Sequence, residues 1–219
     1  MGVWEERTAR ATDRYEDGWA RLPEEPDERQ RQLARMGNAA WAAGLSLLML
    51  GHRDEARVWL ERSAARYRES WHDAPPGSWG RPIGAMKAML IAGNEKGAAR
   101  DARWALGAGA AESESPIGRY AALLAFLVLG QDEEALGASA TLAGGNDFPR
   151  PVADALVALS SRDAGGYHTA VGALLADFES RDAFLEDIPV ADTVLVLQQL
   201  AEPRGLATTL ASDVLPDRA

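Results

Sequence analysis

The hydrophobic positions of this chain fall into short runs with helical spacing, and several of the runs stop at a glycine. Four times an alanine stands five positions after such a glycine, inside a new run: Gly51/Ala56, Gly93/Ala98, Gly130/Ala135 and Gly165/Ala170. Glycine permits the left-handed turn that ends one helix, and alanine lets the following helix lie close to its partner. The pattern predicts an all-α fold of stacked antiparallel helical hairpins. The turn glycines are 42, 37 and 35 residues apart, which suits two short helices with their connections. No strand is expected, because the nearest candidate, residues 193–197, lies within a longer pattern of helical period.

The first helix is expected over residues 4–22, where Trp4, Ala11, Tyr15 and Trp19 recur on one side, and Pro23 and Pro26 end it. A second, over 27–50, has a charged beginning and an apolar end. A third, over 53–71, sets Ala56, Leu60, Ser63, Ala64 and Tyr67 against a side bearing arginines. Residues 72–82 contain Pro75, Pro76, Gly77, Gly80 and Pro82 and cannot be crossed by a helix. Shorter helices are expected over 82–92, 95–106, 116–129, 132–143, 151–159, 167–178 and 189–201, the 116–129 helix capped by Ser115 ahead of Pro116. The 219 residues suit a single repeat domain: capping helices over 1–38, hairpins over 39–180, and a capping helix with a tail over 181–219.

Composition narrows the function classes. The net charge of −10 repels a phosphate backbone, so nucleic acid is not the expected partner, and a basic or zwitterionic one is easier to accommodate. There is no cysteine, which removes disulfides, thiolate metal sites and thiol nucleophiles. The longest apolar windows, 39–50 and 120–129, are too short to span a bilayer, and no apolar stretch follows a basic start. A cytoplasmic protein without membrane contact is the expectation.

Residues 40–67 resemble a tetratricopeptide repeat: small Gly44 in the first helix, Leu47 one turn on, Gly51 at the turn, then Ala56, Leu60 and Ser63 in the second helix. The closing proline of that family is missing, since Pro75 comes too late. Around Gly93 the pattern keeps Ala98 and Ala105 but has Met86 at a small-residue position, and around Gly130 Leu123 takes that place. The resemblance implies a hairpin stack that offers a concave face to another protein or peptide. A second likeness lies near the C-terminus, where the apolar run 190–200 is followed by Ala201, Arg204-Gly205-Leu206, Ser212 and Leu215-Pro216. This ordering resembles the end of an all-helical family of immunity proteins that neutralise bacterial polymorphic toxins, and it implies binding and blocking a toxin.

The candidate chemistry is one of surfaces. The 69–83 passage gathers Trp71, His72, Asp73, Trp79 and Arg81. It reads either as a recognition loop with indole faces and a polar handle, or as a lid whose tryptophans cover the stack. With the arginine side of the third helix it nominates Trp71, Trp79, Arg81, Arg57 and Arg68 as partner contacts, the arginines suited to forked bonds with carboxylates. All seven tryptophans lie in the first half of the chain, so an aromatic-lined groove there is a further option. His52, His72 and His168 are far apart and form no metal-binding pair, and adjacency does not make His72-Asp73 a catalytic dyad. The acidic groups Asp54-Glu55 and Asp132-Glu133-Glu134 follow turn glycines, where a helix N-terminus favours negative charge. No phosphate loop, nucleophile elbow or cofactor fingerprint is present. The expected function is that of a non-enzymatic scaffold without metal or cofactor that binds a protein or peptide.

Overall fold

The computed structural model describes residues 2–145 and 147–217. Among them are ten α-helices and no strand: α1 (Val3–Ala20), α2 (Pro26–Met49), α3 (Arg53–Ser70), α4 (Gly80–Ile91), α5 (Glu95–Gly107), α6 (Pro116–Leu129), α7 (Asp132–Ala143), α8 (Arg150–Ser160), α9 (Ala164–Glu179) and α10 (Asp192–Ala201). From α1 to α9 each helix packs against the next, so α2/α3, α4/α5, α6/α7 and α8/α9 form a row of hairpins with α1 laid against α2. None of the helices is long and apolar enough to cross a membrane.

Three of the four predicted glycine turns are found as expected. Gly51, Gly93 and Gly130 have φ of +76°, +68° and +71°. The amide after each reaches back to a helix-end carbonyl: His52 to Leu47, Asn94 to Met89 and Gln131 to Phe126, all at 2.9 Å. That bond satisfies a carbonyl left over at the end of the preceding helix. Ala56, Ala98 and Ala135 then lie at the helix contacts, no more than 1% exposed. Across α2 and α3 the helices approach closely at Gly44, where a Cβ would meet Leu60 Cγ at 2.8 Å.

The fourth turn differs. Gly165 lies inside the first turn of α9, and the left-handed residue is Arg162, φ +57°, three positions earlier. Asp163 makes the same backward bond, to Ala158 at 2.9 Å. A non-glycine residue in this conformation costs about 1–2 kcal/mol. Arg162 is retained there while its guanidinium grips Asp132, Nη2 to Oδ2 at 2.6 Å. Counted from Arg162, the fifth residue is Tyr167 instead of an alanine. It is fully buried and donates its hydroxyl to Gln198 Oε1 at 3.0 Å.

The end of the chain folds back over the stack. Residues 180–191 form a strap that returns to α2, bending at left-handed Glu186 and Asp187, and Glu186 is ion-paired with Arg14 of α1. Ile188 and Val190 join the N-terminal core beside Trp41 and Leu45. Residues 189–191 are extended where a helix over 189–201 was expected: α10 starts only at Asp192, and the Ala191 N–H bonds across to the Val214 carbonyl at 2.8 Å. α10 then crosses α4, α8 and α9, with Val194, Val196, Leu197 and Leu200 no more than 3% exposed. The strap and α10 thus lie against α2, α4, α8 and α9.

Candidate functional site

The five residues nominated from sequence occupy different environments. Trp71 and Trp79 meet at 5.6 Å between ring centroids, and Trp71 also stands edge-on to Trp104 at 5.5 Å. Trp79 is buried and Trp71 half-buried, so the indoles of the 71–83 passage fold back on the stack as a lid. Arg68 donates through Nη1 to both oxygens of the buried Asp101, at 3.0 and 2.8 Å, and Arg100 Nε adds a third bond at 3.0 Å. Arg57 is exposed, 3.7 Å from Asp54. It lies about three helical turns from Arg68, so the two do not form one patch.

Arg81 is the exception in chemistry. Its Nε donates to Ser70 Oγ at 2.9 Å and its Nη2 to Gln30 Oε1, both neutral partners. Burial lowers its pKa from the ordinary arginine value. It lines a cleft of about 340 Å³ between α2, the start of α4 and the strap, together with Asn38, Trp41, Tyr67, Lys87 and Asp192. The Tyr67 hydroxyl donates to Asn38 Oδ1 at 2.8 Å, and burial pushes the phenol well above its ordinary range, which keeps it neutral. Lys87 Nζ lies 2.8 Å from Asp192 Oδ2, 3.2 Å from Thr193 Oγ1 and 5.6 Å from the centre of the Trp41 ring. Burial alone would lower the Lys87 pKa, but the nearby Asp192 carboxylate outweighs it and the net shift is upward. The cleft holds the hydrogen-bonding groups of Arg81, Asn38 and Lys87, the aromatic rings of Trp41 and Tyr67, and the Asp192 carboxylate.

A second surface escaped the sequence reading. On the outer side of α1 and α3, Arg7 lies over Trp4 at 4.6 Å, Arg62 over Trp59 at 4.5 Å and Arg66 over Trp19 at 5.1 Å. Tyr15 bridges the two helices edge-on to Trp59 at 5.3 Å. Trp19 is 55% exposed and Val58 47%. Two of these pairs, Trp4/Arg7 and Trp59/Arg62, stand three residues apart on one helix and were legible as neighbours. The Trp19/Arg66 pair joins helices 47 positions apart in the chain and carried no local signal.

A wider opening of about 530 Å³ lies along the turns at Gly93 and Gly130 and is closed at its base by a latch. Arg204 donates to Asp132 Oδ1 through Nε at 3.1 Å and Nη2 at 2.6 Å, and to the carbonyls of Leu127 and Leu200, both at 2.8 Å. Arg162 takes the other oxygen of Asp132. Burial alone would raise the Asp132 carboxyl, but the two guanidinium groups outweigh it and hold it below the usual carboxylate range.

The histidines stay apart: His52 is 3.5 Å from Glu55, His168 bonds Thr208 at 3.0 Å, and His72 is exposed in the loop. Among the described residues no group of three or more histidine or carboxylate side chains is placed to hold a metal. The chain matches no family model, no curated protein and no solved structure.

Proposed function

We propose that this chain is a non-enzymatic helical-repeat scaffold of tetratricopeptide-like build that binds another protein or a peptide, with the outer face of α1 and α3 as its contact surface. One observation carries the reading: tryptophans bearing stacked arginines line that face, with Trp19 and Val58 about half exposed. Tryptophan and arginine dominate the energetics of protein interfaces, and a guanidinium already stacked on an indole loses little freedom on binding. The strap and α10 pack against α2, α4, α8 and α9, while Trp19 and Val58 of the outer face stay exposed.

The test is affinity capture from the native host with the wild type and with a charge-reversed variant, Arg7→Glu with Arg62→Glu, matched for thermal stability. A discrete partner held by the wild type and lost from the variant supports the reading. The same partner held equally by both contradicts it.

A toxin-neutralising role is the second reading, supported by the residues that carry the C-terminal resemblance. Arg204 forms the latch to Asp132, Gly205 is the left-handed cap at φ +69°, Ser212 bonds Glu179 at 2.6 Å and Leu215 is buried in the core. Arg204, Ser212 and Leu215 tie the end of the chain to the helices beneath it. This reading predicts a toxin gene beside this one, one-to-one binding of the two products and restored growth when both are expressed. An isolated gene counts against it.

A further inference from the structure

Arg81 is a half-buried cation whose two partners, Ser70 and Gln30, are neutral, and no carboxylate among the described residues lies within ion-pair distance of it. Taking a guanidinium out of water without a counter-ion costs stability that an arriving anion restores. The remaining charges of the cleft cancel, since Lys87 is paired with Asp192 at 2.8 Å. The cleft therefore carries a single uncompensated positive charge.

Its other groups suit a planar monoanion with an apolar body. The Tyr67 hydroxyl occupies Asn38 Oδ1, which leaves the Asn38 amide to act as a donor. Trp41 and Ile83 supply apolar wall, and Leu185 stands exposed at the mouth on the strap. The volume, about 340 Å³, is at the lower end of small-ligand pockets. A guanidinium fork matches the plane and spacing of a carboxylate. A doubly charged phosphate is disfavoured, because one free positive charge beside Asp192 leaves it undercompensated.

From these observations we propose that the cleft between α2, α4 and the strap is a carboxylate-binding site in which Arg81 is the counter-ion. The carboxylate belongs either to a small free acid or to a glutamate side chain of a peptide. The site is independent of the outer face of α1 and α3, and either can stand without the other.

The experiment is titration of the full chain, followed by NMR at the Trp41 indole N–H and the Arg81 Nε–H. The probes are glutarate, the peptide acetyl-Ala-Ala-Glu-Ala-Ala-amide, its glutamine counterpart and inorganic phosphate. Saturable shifts at both reporters with glutarate, the glutamate peptide or both support the site, and which of the two binds more tightly identifies the source of the carboxylate. The glutamine peptide should give no response, and Arg81→Gln should weaken binding about tenfold or more. Arg81→Lys keeps the charge without the fork and should fall between them, which guards against misreading a poorly folded Arg81→Gln. The proposal is overturned if neither carboxylate moves the reporters, if the glutamine peptide or phosphate binds as well as the carboxylates, or if folded Arg81→Gln binds like the wild type.

Discussion

Arg204 and Arg81 are both withdrawn from solvent, one near each end of the hairpin row, and their surroundings differ in one respect. Arg204 is 6% exposed and spends its donors on a carboxylate and two carbonyls. Arg81 has two neutral partners and faces a cleft. The first arrangement closes a structure, tying the turn before α7 to the end of α10. The second leaves a charge for something else to answer. The comparison teaches that burial of an arginine does not by itself reveal its role, whereas the inventory of its partners does.

The largest effect is expected at the latch. Arg204→Met removes one of the two guanidinium partners of the half-buried Asp132 carboxylate and frees two carbonyls, and urea denaturation should show a loss of about 3 kcal/mol. Asp132→Asn should cost about as much at neutral pH, since it strands Arg204. A carboxyl whose folded pKa is depressed stabilises fully above its unfolded value, near 4, and that contribution disappears as the pH falls through the folded pKa. The denaturation midpoints of wild type and Asp132→Asn should therefore converge on acidification below about pH 4. A constant gap across that range would remove the ion pair from the account.

Arg81→Met should cost less, about 1 kcal/mol, because it leaves only neutral acceptors short of a donor. A midpoint shift as large as that of Arg204→Met would make Arg81 a structural residue. The turns give the smallest effects. Gly130→Ala should lose about 1 kcal/mol by forcing a side chain into the left-handed region. Arg162→Gly relieves that strain while giving up an exposed ion pair, so calorimetry should find it within about 1 kcal/mol of the wild type, on either side.

Much of the hairpin row was legible because its signals are local. Gly51, Gly93 and Gly130 mark their own turns, and the alanines five positions on mark the contacts those turns create. The fourth turn was misplaced because the residue that adopts the glycine conformation is an arginine, held by a carboxylate 30 positions away. The helix expected over 189–201 starts only at Asp192, and residues 189–191 run extended, with the Ala191 N–H bonded to the Val214 carbonyl, a partner no local pattern discloses. At the candidate sites the residue types were visible and their company was not. Arg68 and Arg81 looked alike along the chain, yet only Arg68 meets a buried carboxylate, Asp101.

Paired double-mutant cycles on folding stability test the contrast between the two arginines most directly, one across Arg204 and Asp132 and one across Arg81 and Gln30. A coupling of about 3 kcal/mol in the first and under about 1 kcal/mol in the second is the predicted result. Equal couplings, or a larger one at Arg81, would contradict the assignment of one arginine to the fold and the other to a ligand.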